Sequence, residues 1–453
     1  MELFISALIF FLYSILILIF GKHRLDGNNE IKDFFIADRQ LGVTTLVFTF
    51  TATWISSTTM LALTGLIYSE GLKPIITIVL FWFIGALLFI PLAKPLRRYG
   101  VITLPHFLRI RYESPLLQKI GGVVILVTHL LYVTIQIYGF GLVTTYLLEV
   151  PYVISVFMVY LFLLYTTFGG LRSVAKTDTI QLFLIITSII VLIYFTFDHL
   201  AVSDNWINSI NITSQLNDIN YLGILTVSLI WLFGKASHPQ YIVRLLAAKS
   251  DSDAIKMIIY SMIILILLYF AIWFIASNTA IIFPDINGVN QEVILIYISQ
   301  QLVHNPWIGI VLTGIMAGAI STANSQLLIL TSSILIDLRQ NDLKKPMKYH
   351  RLILFICVTI AALAAFYQPL SILDYGIYIW GILAFTFFWP VYGGVFWKKA
   401  NKAGAVISNI AGWVTLLISY GIKTNIHPVF LAFAVSTILF FSFGFLKGEV
   451  KGA

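Results

Sequence analysis

Thirteen stretches of this chain are apolar for long enough to cross a lipid bilayer, and that recurrence leaves few folds open. They run near 3–20, 44–68, 74–93, 118–147, 151–168, 179–198, 221–243, 256–276, 306–336, 351–367, 370–397, 403–421 and 427–446. A spanning helix needs about 17–25 apolar residues, because hydrocarbon offers no water to a bare backbone. The expectation is an all-α polytopic membrane protein with 13 transmembrane helices. Only 11% of residues are charged, against about 25% in soluble domains. The first stretch reads as an uncleaved span: Glu2 precedes it, Lys22, His23 and Arg24 follow it, and no small-residue cleavage site appears.

Basic residues then set the expected orientation. Of 28 Lys and Arg, all but Lys73, Lys423 and the intra-span Lys235 fall in the loops after odd-numbered spans or in the C-terminal tail. Such residues collect on the cytoplasmic side. The N-terminus is expected outside and the C-terminus in the cytoplasm, as in a multi-pass protein of the plasma (inner) membrane. The net charge of +8 is thus a topology signal and no sign of nucleic acid. Cys357 is the one cysteine, so no intrachain disulfide is possible. The polar connections 21–43, 94–117 and 199–220 are too short for a second soluble domain. Asn211-Ile212-Thr213 matches a glycosylation acceptor, a short pattern that matters only in a secretory pathway.

An odd span count with the C-terminus inside allows one leading helix and loop (1–43), two units of five helices (44–198 and 199–397) and two trailing helices with a short tail (398–453). Two spans are interrupted at matching places in the two fives. The second holds the polar run from Thr51 to Thr59, and the seventh holds Gly234-Lys-Ala-Ser-His-Pro-Gln240. Paired interruptions of this kind mark the midplane site of many transporters, because unwound backbone at that depth must line a cavity or be buried in protein.

The ninth span carries Gly314-Ile-Met-Ala-Gly-Ala-Ile-Ser-Thr-Ala-Asn-Ser-Gln326. On helical spacing Ser321, Thr322 and Ser325 occupy adjoining faces one turn past Gly318. Small residues admit a close neighbour, and hydroxyls beside its backbone offer oxygens to a hard cation. A packing seam whose hydroxyls bond back to their own i−4 carbonyls is the alternative. Lys235 and His238 lie midway along the seventh span, where a charge costs about 2.5–3.5 kcal/mol. Lys235 therefore needs a partner in the protein or the solute, unless it snorkels to water. Asp178 opens the sixth span, where a helix N-terminus alone accounts for an acid. Trp54, Trp231, Tyr132, Tyr138, Tyr375 and Tyr378 can wall a cavity or face lipid. No phosphate loop, His-Glu-x-x-His or cysteine cluster is present, so no enzyme is expected.

Four patterns carry a family resemblance. They are Phe35-Ile-Ala-Asp-Arg-Gln-Leu-Gly42, Gly169-Gly-Leu-Arg-Ser-Val-Ala-Lys-Thr-Asp-Thr-Ile-Gln181, His238-Pro-Gln-Tyr-Ile-Val-Arg-Leu-Leu-Ala-Ala-Lys-Ser250 and Gly318-Ala-Ile-Ser-Thr-Ala-Asn-Ser-Gln326. In this order they resemble the sodium/solute symporters, which include the proline, pantothenate, sialic acid and sodium/glucose carriers. The resemblance implies a leucine-transporter-type inverted repeat of spans 2–6 and 7–11, coupled to Na+. It implies a main sodium site from carbonyls of Ala52, Ile55 and Gly318 with hydroxyls of Ser321 and Thr322. A second sodium at Asp178 and Ser325 matches some members, although Asn324 stands where a hydroxyl residue is usual.

The same resemblance places solute between the two interruptions, with Trp54, Ser57, Thr58, Tyr132, Trp231, Lys235, His238 and Tyr378 as candidate contacts. Trp54 stands where proline symporters carry an aspartate, and Lys235 favours a carboxylate. An organic anion is the first expectation, a neutral sugar or an amino acid the second, and a monomer the expected unit. One sodium descending a tenfold gradient supplies about 1.4 kcal/mol, and about 100 mV adds about 2.3. A neutral solute is thereby concentrated several hundredfold, but a monoanion travelling with one sodium loses the voltage contribution and reaches about tenfold. A sensor module on the same fold, or a channel, are the competing classes.

Overall fold

The computed structural model describes residues 2–21, 30–166, 169–202, 221–284, 286, 289–304, 306–339, 348–367, 371–422 and 426–446. Asn211-Ile212-Thr213, Lys22, Arg24, Lys344, Lys345, Lys423 and the tail 447–453 lie outside them. The described secondary structure is helical apart from one isolated bridge between Leu41 and Ala248.

In chain order the main helices are α1 (Glu2–Phe20), α2 (Val43–Trp54), α3 (Thr58–Glu70), α4 (Ile75–Arg98), α5 (Leu104–Tyr112), α6 (Pro115–Leu148), α7 (Tyr152–Thr166) and α8 (Gly170–Val202). They continue as α9 (Tyr221–Ala236), α10 (Pro239–Ala247), α11 (Asp251–Ile282), α12 (Trp307–Leu338), α13 (Lys348–Phe366), α14 (Ile372–Phe396), α15 (Lys402–Tyr420) and α16 (Pro428–Leu446). Among the described residues nine helices are long and apolar enough to cross a membrane, or ten with the bent pair α2/α3. Shorter apolar helices lie in α1 and α7, and the broken pair α9/α10 falls in the expected seventh span.

Local chemistry accounts for the boundaries. Ser114 caps α6 by accepting from the Leu117 N–H, with Pro115 in the first turn, where its missing N–H costs nothing. Ser250 and Asn401 cap α11 and α15 in the same manner. Both expected interruptions are present. α2 and α3 meet at 56°, with Ile55 extended at ψ 109° after Trp54. The hydroxyl-rich, β-branched run that follows competes for backbone groups and weakens a continuous helix. α9 and α10 part at Ser237–His238, where Pro239 has no N–H and excludes helical backbone from the residue before it. His238 is accordingly extended, at φ −76° and ψ 119°.

α12 forms the centre of the bundle, and every residue from Val311 to Ser332 is buried. Its small residues allow this. A Cβ added to Gly314 would lie 2.5 Å from the Ser188 side chain of α8, and one on Gly318 would lie 2.9 Å from the Ile55 carbonyl. The periphery is apolar toward the outside: Phe11, Phe183, Ile263, Leu267 and Leu417 are exposed, as lipid-facing positions should be.

One end of the two broken spans is strapped together. Leu41 N–H donates to the Ala247 carbonyl at 3.1 Å, and Lys249 N–H to the Leu41 carbonyl at 2.9 Å. Arg97 donates to the carbonyls of Leu245 (2.8 Å), Leu246 (3.3 Å) and Ala248 (2.6 Å), and pairs with Asp251 at 2.7 Å. Arg97 thus closes the C-terminal end of α10, whose last carbonyls have no partner within the helix. Counting Arg97 and Arg244 as loop cations is therefore corrected, since both reach into the protein and Arg244 is buried within α10.

Candidate functional site

α2 stops at Trp54, so carbonyls of its last turn, that of Ala52 included, run short of helical donors and carry the negative end of the helix dipole. α12 meets that end side-on. Gly318 faces the Ile55 carbonyl, and Thr322 Oγ1 donates to the Thr53 carbonyl at 3.1 Å. Ser321 Oγ donates to Asp178 Oδ1 at 2.7 Å. Ser321, Thr322 and Ser325 meet groups of other helices instead of bonding back along their own, unlike Thr331 and Ser332 further along α12. Ala52, Ile55, Ser321 and Thr322 are fully buried. A hydroxyl whose proton is committed to an acceptor presents lone pairs elsewhere, the disposition a hard cation requires.

Asp178 is the ninth residue of α8, fully buried, and no solvent-facing helix cap. Its Oδ2 accepts from the Thr49 hydroxyl and from Arg244 Nη2 at 3.3 Å. Arg244 comes from α10, and the motif beginning at His238 contained it without showing this role. Its Nε and Nη2 donate to Thr49 Oγ1 at 3.1 and 3.0 Å. Nη2 also reaches Ser325 Oγ at 2.7 Å and the Thr53 hydroxyl, and Nη1 donates to the Gln240 carbonyl at 2.8 Å. Asp178 and Ser325 are thus brought together, with a guanidinium between them.

On the other side of the α2/α3 break lies an aromatic box. Lys235, in the last turn of α9, is 2% exposed, so it does not snorkel to water. Its Nζ sits 3.6 Å from the centre of the Trp54 ring, 4.8 Å from Tyr241, 4.9 Å from Trp82 and 5.6 Å from Trp380. Cation–π attraction is worth about 2 kcal/mol when desolvated, and Nζ also donates to the Tyr241 hydroxyl at 3.0 Å. Trp231 stacks edge-on with Trp82 (5.4 Å) and Trp380 (4.6 Å). Tyr132 and His238 lie 5.4 and 6.0 Å from Trp380. Thr58 begins α3 and Ser57 directly precedes it, both buried, with the Ser57 N–H held by Gln136 Oε1 at 3.0 Å.

Several buried polar atoms here find no partner among the described residues: both His238 ring nitrogens, Gln136 Nε2, Ser57 Oγ and the indole N–H groups of Trp82, Trp231 and Trp380. Four of these are donors only, so the box asks for an acceptor. Tyr378 is a correction. It packs against Tyr420 (6.4 Å) and His427 (5.1 Å) at the trailing helices, because two residues along a helix turn the side chain about 200°. Trp380 holds the inward position instead. Trp82, Tyr241 and Gln136 were also missed, since an aromatic in an apolar span has no local mark of facing inward.

A profile described as the sodium:solute symporter family matches residues 34–412. The chain belongs to that family. Among its relatives is the sodium/pantothenate symporter of Escherichia coli K12, 25% identical, with 95% of this chain and 94% of that one aligned. Another is the osmoregulated proline transporter OpuE of Bacillus subtilis 168, 27% identical over 96% and 93% of the two chains. A solved Na+-coupled sialic acid symporter, in a substrate-bound outward-open state, superposes with a TM-score of 0.82 at 17% identity over 99% of both chains. Mhp1, a nucleobase-cation-symport-1 family transporter, follows at 0.58 and 13%, covering 91% of this chain and 92% of its own. The fold is thus of the leucine-transporter type. Sodium is the coupling ion of the family, and its members are transporters and not enzymes.

Proposed function

We propose that this symporter moves a small organic anion, a carboxylate, together with sodium across the plasma membrane by alternating access. The observation that carries the reading is Lys235. It is a buried cation that forms no ion pair among the described residues and lies inside a box of unpartnered donors. A buried ammonium without an acid is costly, and a solute carboxylate would complete it. Pantothenate, named for the E. coli relative, is itself a carboxylate. A neutral sugar would leave Lys235 as it stands, and an amino acid would bring a carboxylate to it only together with an ammonium group for which the box holds no acid among the described residues.

Sodium, in this reading, is held by carbonyls of Ala52, Ile55 and Gly318 and the hydroxyls of Ser321 and Thr322. The two broken spans, in repeats 44–198 and 199–397, move around that point. The Lys and Arg distribution puts the end strapped by Leu41, Arg97 and Ala248 at the cytoplasm. Thermal stabilisation of the purified protein, with and without sodium, tests the solute across monocarboxylates, sugar acids, sugars and amino acids. Sodium-dependent stabilisation by carboxylates is expected. Stabilisation by sugars alone would overturn the anion.

The sodium assignment has its own consequence. Losing one oxygen bonded to a charge costs about 1.5–3 kcal/mol, or roughly 10- to 100-fold in affinity. Ser321→Ala and Thr322→Ala should each raise half-saturating sodium for uptake by that factor, and Thr322→Ser should recover most of it. Unaltered sodium dependence in both alanine variants would remove these hydroxyls from the ion site.

A further inference from the structure

Building on the carboxylate reading, we propose that His129 selects the solute by accepting a hydrogen bond from its hydroxyl, so that the cargo is a hydroxy acid and not a plain fatty acid. His129 lies on α6 one turn before Tyr132 and two before Gln136, and the three share one buried face. That face meets the broken spans, since Tyr132 is 5.9 Å from His238 and Gln136 holds the Ser57 N–H. His129 itself is 1% exposed, with its ring 5.5 Å from that of His238. His238 in turn lies 5.5 Å from Tyr241, whose hydroxyl accepts from Lys235.

The neighbours of His129 fix its tautomer. The Thr128 hydroxyl donates its one proton to the Val124 carbonyl at 2.7 Å, so toward His129 Nδ1, 3.1 Å away, it can only accept. The ring also hydrogen-bonds the Ile125 carbonyl, which has no proton to give. Nδ1 therefore carries the hydrogen, and Nε2, without a partner among the described residues, is a bare acceptor. The indole N–H groups of Trp82, Trp231 and Trp380 and Gln136 Nε2 are unpartnered donors. His238 offers one donor and one acceptor in either neutral tautomer, and so leaves this polarity unchanged. Donors around Lys235 ask for a carboxylate, and one acceptor set apart from them asks for a donor. An alcohol O–H supplies it without charge, whereas an ammonium would add a second buried cation beside Lys235. From Tyr132 to His129 the helix rises about 4.5 Å, within reach of a hydroxyl on a short carbon chain.

Thermal stabilisation of the purified full-length protein in sodium tests this with butyrate, the three monohydroxybutyrates, their methyl ethers and the corresponding amides. A hydroxybutyrate is expected to bind roughly 10- to 100-fold more tightly than butyrate, since butyrate leaves a buried acceptor unpaired. Its methyl ether, which cannot donate, should bind no more tightly than butyrate. His129→Phe should bring the hydroxy-acid advantage close to one, and His129→Gln, whose Oε1 again offers an acceptor, should restore part of it. A hydroxyl that brings no advantage, an ether that binds as well as its alcohol, or an advantage that persists in folded His129→Phe would each overturn the proposal and leave the carboxylate reading standing. Acids that bind no better than their amides would overturn the carboxylate reading, and this proposal with it. Should His129→Phe fail to fold, the alcohol and ether on the wild type decide.

Discussion

Lys235→Met should abolish most carboxylate uptake while leaving the protein folded. Removing one member of a buried charge pair costs about 2–5 kcal/mol, which is roughly 30-fold to several thousandfold in uptake at low solute. Methionine fills nearly the same volume and keeps the contacts with Trp54, Trp82, Tyr241 and Trp380. Among the described residues Lys235 meets only the Tyr241 hydroxyl and ring faces. Its desolvation is therefore poorly offset, and replacing it by an apolar group should leave the unfolding midpoint unchanged or raise it. Paired uptake assays with a carboxylate and its amide check this. An equal loss for both would show that Lys235 serves the fold and that the anion reading is wrong.

Asp178→Asn is expected to act in the opposite way, on the folded protein first. It leaves the Arg244 guanidinium buried without a counter-charge, a loss of about 3–5 kcal/mol, and it loosens the hydrogen bond that orients Ser321. The thermal midpoint should fall whether or not sodium is present, and what folds should need more sodium. Arg244→Gln combined with Asp178→Asn should recover much of the stability, because both charges are then gone. A midpoint unchanged in the single variant would mean that the two side chains are not a closed pair.

Much of this was legible in the chain. The break before Pro239 follows from one residue's missing N–H, and the break after Trp54 from a run of hydroxyl and β-branched residues. Gly318, Ser321 and Thr322 announced a close, oxygen-bearing face. Asp178 was visible only as an acid with two readings. Arg244 was read as a loop cation, because it stands just beyond an apolar stretch. Its partner lies 66 residues away, a distance that no local pattern spans. Tyr378 is the cavity wall the sequence suggests, and the rotation of α14 puts Trp380 there instead.

By itself, then, the sequence determined that the chain enters a bilayer many times, where two of its spans must unwind, and which residue types face each other's helices closely. Those properties are local: they depend on transfer to hydrocarbon, on backbone sterics and on side-chain size. Only the tertiary structure decided that a guanidinium, and not open space, meets Asp178 and Ser325, and that an unpaired ammonium is boxed by indoles. Such pairings depend on how whole helices turn and pack against one another, and that is settled by the sum of many distant contacts.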